Sequence, residues 1–154
     1  MGPLVTGDHC RRVAGYIEKG LAEGATPLCD GRQVKPDGNG FFLGPTIFDH
    51  VTAQMTIARE EIFGPVLSVL TFRTAEEAVE KANNTTYGLS AGVWTEKGSR
   101  ILYMASRLRA GVVWANTFNR FDPSSPFGGY RESGFGREGG RHGLAAYLQS
   151  ALDD

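Results

Sequence analysis

The first apolar rhythm along the chain is helical: Val13, Tyr16, Ile17 and Leu21 recur at the spacing that lines one face of an α-helix. Asp8 stands where a carboxylate can cap a first turn, and Gly24 stands where the chain can leave the helix, so the pattern predicts a half-buried helix from Asp8 to about Glu23. Between Thr26 and Phe48 the apolar stretches are short (Leu28-Cys29, Phe41 to Leu43, Thr46 to Phe48) and punctuated by Gly and Pro. Short strands in an irregular excursion are expected there, with no regular structure over Asp30 to Gly40. Val66 to Phe72 is too apolar for an exposed strand and short enough for a buried one. Thr74 and Glu77 make a capping box for a helix through Ala75, Ala78, Val79 and Ala82, ending near Asn83 and Asn84. Ser90 to Trp94 is the next strand. Thr95 starts a second helix with Ile101, Met104, Ala105 and Leu108 at helical spacing, and Gly111 ends it before the strand Val112 to Asn116.

This order is β-α-β-α-β, so the expected class is α/β, with Val66 to Phe72, Ser90 to Trp94 and Val112 to Asn116 in one mainly parallel sheet with flanking helices. The character then changes. Thr117 to Arg137 is rich in Gly, Pro, Ser and aromatic residues and is too long for a mere connector, which predicts a functional loop over 117–137. A last helix, Glu138 to Leu148, is weakened by Gly139, Gly140 and Gly143.

Composition narrows the function classes. The 154 residues suit a single domain over 1–154, and 41% hydrophobic with 21% charged residues is globular usage. Sixteen Lys and Arg against seventeen Asp and Glu leave a formal charge of -1 with basic residues scattered, which argues against a nucleic-acid partner. No apolar run approaches the ~20 residues that span a bilayer, and Asp8 and His9 fall where a signal peptide needs its apolar core. A cytoplasmic protein with no membrane partner is the expectation. Cys10 and Cys29 are too few for a disulfide framework and lack neighbours at metal-ligand spacing, so both are expected as reduced thiols and no metal site is expected. Glycine, at 21 residues, is about twice as frequent as in average proteins, which signals tight turns and close backbone approaches.

Read from residue types alone, Glu60-Glu61 is a solvated acidic pair and Phe63 a core ring. Asn116 lies beyond the carboxyl end of a strand, where open α/β sheets place ligands, although Asn serves turns as readily. Cys10 precedes Arg11 and Arg12, which could favour a thiolate, but its place on the amphipathic helix reads as an ordinary half-buried inert thiol.

The string Glu60-Glu61-Ile62-Phe63-Gly64-Pro65-Val66, followed in order by Asn83 to Leu89 and Pro126 to Glu138, resembles the carboxyl-terminal part of the NAD(P)-dependent aldehyde dehydrogenases, and the resemblance extends from Gly2 to Tyr147. It implies a partial aldehyde dehydrogenase catalytic domain and NAD or NADP as cofactor. Under the resemblance Glu61 accepts hydrogen bonds from the nicotinamide ribose, Phe63 packs on the nicotinamide side, and Leu89 lies near the nicotinamide. Phe121 and Phe127 would line the tunnel that admits the aldehyde, which makes 117–137 an active-site-facing loop, although loop aromatics also bury without binding anything. His9 and Arg12 would approach the adenosine ribose, or else be solvent-facing polar residues on an exposed helix face.

The family oxidises an aldehyde to a carboxylate through a cysteine thiohemiacetal, hydride transfer and hydrolysis assisted by a glutamate. Cysteine, glutamate and the pyrophosphate-binding units belong to the family's amino-terminal portion, which nothing here resembles, and Cys10 matches no catalytic segment. The chain is therefore expected to be a fragment that begins inside the family's sequence, without catalytic residues and inactive alone. A non-catalytic interaction protein that pairs with a full-length aldehyde dehydrogenase is the alternative. A stand-alone nucleotide-binding module is disfavoured, because no Gly-rich loop joins a strand to a helix. Leu148 to Asp154 lacks the alternating pattern of the strand by which family members reach a partner subunit, so association with another such subunit, or as a homo-oligomer, loses that element.

Overall fold

Helix α1 runs from Gly7 to Ala22, and its cap is Thr6 rather than Asp8: the Thr6 hydroxyl accepts the His9 amide at 3.1 Å. Asp8 sits inside the first turn, where a carboxylate meets the positive end of the helix dipole, and pairs with Arg11. Gly24 ends the helix as expected, at φ 94°, with its amide on the Leu21 carbonyl at 3.1 Å.

The computed structural model describes residues 1–34 and 39–149 and divides the chain into two units, Met1–Phe72 and Arg73–Asp154. In the first unit, β1 (Thr26–Cys29), β2 (Thr46–Asp49) and β3 (Val66–Ser68) form a sheet in that order. β1 runs antiparallel to β2, whereas β2 and β3 are parallel with Thr46 opposite Val66. Pro27 is tolerated because β1 is an edge strand. Helix α1, a short α2 (Thr56–Arg59) and this sheet enclose Val13, Ile17, Ala25, Leu43, Phe48, Val51, Ile57 and Ile62. Phe48, Val13 and Ile17 have no exposed surface. The buried Thr46 hydroxyl is satisfied by the Gly31 amide at 2.9 Å.

In the second unit, α3 (Ala75–Asn83) is capped by Thr74 as expected, its hydroxyl accepting the Glu77 amide at 3.2 Å, but the Glu77 carboxylate closes the box one residue early, on the Arg73 amide at 2.7 Å rather than that of Thr74. β4 (Ser90–Val93) and β5 (Val112–Ala115) pair in parallel from Ser90 opposite Val112 to Val93 opposite Ala115, connected through α4 (Gly98–Ala105). Thr95 does not cap α4; its hydroxyl accepts the Lys97 amide in the turn before the helix. The last helix, α5, shrinks to Gly140–Ala145 because Gly139 and Gly140 take positive φ.

The α/β class stands, but the single three-stranded sheet does not. β3 pairs with β2, and β4 with β5, in two separate sheets. Thr46 to Phe48, read only as a short strand within an irregular excursion, is the parallel neighbour that β3 takes. The Leu148 to Asp154 reading lies largely outside the described residues, which stop at 149; Asp30 to Gly40, described except at 35–38, is not wholly irregular, because Asp30 caps a single 3-10 turn over Gly31–Gln33 by accepting the Arg32 amide.

Candidate functional site

The acidic pair is split by its surroundings. Glu60 ends α2 and accepts the Tyr16 hydroxyl at 2.7 Å. Glu61 is exposed, and among the described residues no side chain pairs with its carboxylate. Ile62 is driven into the core and Gly64 lies against α1, where an added Cβ would come within 2.6 Å of Val13. Between these two anchors Phe63 adopts φ 56°, a left-handed conformation that costs an L-residue about 1–2 kcal/mol and persists only where neighbours enforce it. The consequence is a ring turned outward, 73% exposed, rather than the core aromatic that residue type suggests.

His9, at the start of α1, places Nε2 2.8 Å from the Phe63 carbonyl. A carbonyl can only accept, so Nε2 carries the proton. His9 Nδ1 is buried and has no partner among the described residues. Arg12 is exposed on the following turn. The first unit thus brings His9 and Phe63 together and presents Glu61, Phe63 and Arg12 to solvent.

The second unit carries an aromatic cluster around Trp114. Phe121 meets the Trp114 ring edge-on at 5.5 Å and Phe127 at 4.9 Å, while Phe118 packs edge-on against Trp114 at 4.8 Å. The Trp114 indole N–H is satisfied by the Arg120 carbonyl at 3.1 Å. Phe121 nevertheless remains 60% exposed and Leu89 39%. Sequence reasoning missed Phe118 and Trp94, which join this cluster at 6.4 Å from each other; the aromatic spacing Trp94, Trp114, Phe118, Phe121 was the available signal. Asn116, at φ 52°, gives its side chain to the turn: its amide donates to the Thr95 carbonyl at 3.0 Å and its oxygen accepts the Thr95 amide at 2.8 Å.

The segments Asn83 to Leu89 and Pro126 to Glu138 of this unit hold each other. Gly88 donates to the Ser133 hydroxyl and accepts from the Tyr130 amide, and Arg131 donates to the carbonyls of Asn83 and Thr85. Arg137 gathers the Gly129, Phe135 and Gly136 carbonyls at 2.8, 3.1 and 2.8 Å, and Phe127 and Glu138 exchange backbone hydrogen bonds. Backbone passes so closely that a Cβ on Gly111 would fall 1.7 Å from the Gly128 oxygen. At the loop's first bend, hydrogen bonds from the Ser124 hydroxyl and amide hold the Asp122 carboxyl below its usual range. The loop over 117–137 is therefore held by polar contacts, within itself and to Asn83, Thr85 and Gly88, while Phe118, Phe121, Tyr130 and Phe135 stay at the surface.

The first unit thus presents an outward ring beside an unpaired carboxylate at a strand entrance, and the second, by itself, presents a loop with exposed aromatic residues. The aldehyde dehydrogenase family model matches residues 1–152. The putative aldehyde dehydrogenase DhaS of Bacillus subtilis is 48% identical over 97% of this chain and 30% of its own length, and the betaine aldehyde dehydrogenase of Brucella melitensis is 48% identical over 97% and 31%. Among solved structures, an aldehyde dehydrogenase of Mycobacterium tuberculosis complexed with NAD+ superposes with a TM-score of 0.90 at 45% identity, covering 97% of this chain and 31% of that one. The NAD-dependent aldehyde dehydrogenase of Sinorhizobium meliloti gives 0.91 at 45%, covering 97% and 29%. The chain belongs to the aldehyde dehydrogenase family. It spans about 30% of the length of the curated relatives it matches.

Proposed function

We propose that this chain supplies the nicotinamide-ribose and substrate-tunnel contacts of an NAD(P)-dependent aldehyde dehydrogenase that converts an aldehyde to a carboxylate, and that it does not turn over by itself. The observation that carries the reading is the contrast at the acidic pair: Tyr16 occupies Glu60, while Glu61 remains unpaired beside the outward Phe63. A free carboxylate accepts from two ribose hydroxyls, and an exposed ring packs on the nicotinamide side, so the residues fit the cofactor. When bound, the nicotinamide accepts the hydride. Glu61 and Phe63 fix its position, Arg12 contacts the adenosine ribose, and Leu89, Phe121 and Phe127 give the aldehyde an apolar approach. NAD is the cofactor favoured by the NAD-bound and NAD-dependent relatives, and NADP is the alternative. The two free thiols suit a reducing compartment such as the cytoplasm.

The test restores the family's amino-terminal portion by fusion or co-expression. The chain alone should form no NADH with a panel of aldehydes. In the restored enzyme Glu61→Gln should slow pre-steady-state NADH formation by roughly tenfold or more, since each charge-assisted hydrogen bond contributes about 1.5–3 kcal/mol and near-attack geometry tolerates little error. Glu60→Gln should be close to neutral. Equal effects from the two would remove the role of Glu61.

A second reading, a non-catalytic partner of a complete aldehyde dehydrogenase, is favoured by the large apolar side chains left exposed, among them Leu102, Phe135 and Tyr147. Retention of native activity in the complex with no change on Glu61→Gln would select it.

A further inference from the structure

We infer that His9 is a positioning residue: its Nε2–H holds the Phe63 carbonyl and so keeps Phe63 in the left-handed conformation that turns its ring outward. This rests on the nicotinamide role given to Phe63 above. The resemblance suggested that His9 touches the adenosine ribose, but neither ring nitrogen is presented to a ligand. Nε2 is spent on the Phe63 carbonyl at 2.8 Å, and Nδ1 is buried, out of reach of any ligand. A ribose hydroxyl could reach a His9 nitrogen only by releasing Phe63.

The need for such a contact follows from the backbone. Phe63 is an aromatic residue at φ 56°, where nothing intrinsic holds it. Ile62 in the core and Gly64 against Val13 fix the chain on either side of it. The peptide that follows Phe63 is oriented by its carbonyl, which accepts from His9 Nε2, and His9 is itself held in the first turn of α1, where its own amide donates to the Thr6 hydroxyl. Fifty-four residues apart in sequence, His9 and Phe63 thereby couple the first helix to the nicotinamide contact.

Two measurements test this on the intact chain and on the restored enzyme. In the chain, a strong intraresidue amide-to-Hα NOE at Phe63, the signature of positive φ, should be present, lost in His9→Ala, and kept in His9→Gln, whose amide N–H reaches the position of Nε2. In the restored enzyme, His9→Ala should slow hydride transfer by about tenfold, the loss of one hydrogen bond's worth of positioning, without raising the Kd for NAD, and His9→Gln should recover the rate. The NOE surviving in His9→Ala would overturn the inference, as would a raised Kd with an unchanged NOE, which would return His9 to the adenosine side. If Phe63→Ala leaves hydride transfer unchanged, the nicotinamide role of Phe63 falls and this inference with it; if Phe63→Ala slows it and His9→Ala does not, only the role of His9 falls.

Discussion

The unit from Met1 to Phe72 buries eight apolar side chains between its helices and a three-stranded sheet, whereas in the unit from Arg73 onward only Val93 and Trp114, among the described residues, are buried hydrophobic residues. The first unit is held by apolar burial, at roughly 1.5–3 kcal/mol for each large side chain. The second is held by hydrogen bonds between backbone and side chains, Arg137 and Arg131 donating to carbonyls and Asn83 and Ser133 accepting from amides, while Trp94, Phe118, Phe121 and Phe135 stay exposed. Hydrogen bonds fix a shape at little net stability, because water offers the same bonds to the unfolded chain. A unit built this way keeps its apolar side chains available to something else, which is what a binding surface requires.

The sharpest way to break the contrast is Phe48→Ala. Phe48 is fully buried in the first unit, and its truncation should cost about 3–5 kcal/mol, enough to lose that unit's cooperative transition in urea followed by far-UV circular dichroism. Phe121→Ala, at a ring 60% exposed, should cost far less on the same assay. A comparable loss from both would mean that the second unit has an apolar core after all.

Next in size is Arg137→Ala. It strands three backbone carbonyls and should destabilise the loop by about 1.5–3 kcal/mol, read as faster amide hydrogen exchange over 126–138 with protection in α1 unchanged. A smaller effect, about 1 kcal/mol, is expected for Asn116→Ala, which loses both bonds to Thr95 and places Ala at φ 52°. Exchange at the Thr95 amide is the readout, and Asn116→Gly should recover part of the loss.

The same contrast explains what could be read ahead of the structure. Helix α1, the Thr74 cap and the parallel pairing of β4 with β5 were legible because they depend on local periodicity and caps. The sheet assignment of β3 was not, since strand pairing is set by distant partners, and Thr46 to Phe48 carries no sign that it will neighbour Val66. Residue type alone put Phe63 inside, because the left-handed backbone that turns it out comes from Ile62, Gly64 and His9 acting together. The docking of Asn83 to Leu89 against Pro126 to Glu138 was likewise invisible, as Arg131 and Ser133 find their backbone partners far along the chain, where no local pattern announces them.

The smallest expected effect tests whether the first unit also relies on a polar tie. Glu23, just past α1, accepts the Thr56 amide at 2.6 Å and the Thr56 hydroxyl at the start of α2. The Thr56 hydroxyl, then its amide, and more weakly Lys19, hold the Glu23 carboxyl below the usual glutamate range despite some desolvation. A carboxyl whose pKa is lower in the folded state contributes stability above its unfolded value, about 4.3, and that contribution disappears as the pH falls through the depressed folded value. Stability of the first unit should therefore decline between about pH 4.5 and the folded pKa, and Glu23→Gln should flatten that part of the profile while leaving the slope at neutral pH untouched. Glu23 is solvent-exposed, so the change should be a small displacement of the urea midpoint rather than unfolding. A Glu23→Gln profile that still falls with the wild-type slope would assign the acid sensitivity to other carboxylates and leave the first unit dependent on its apolar core alone.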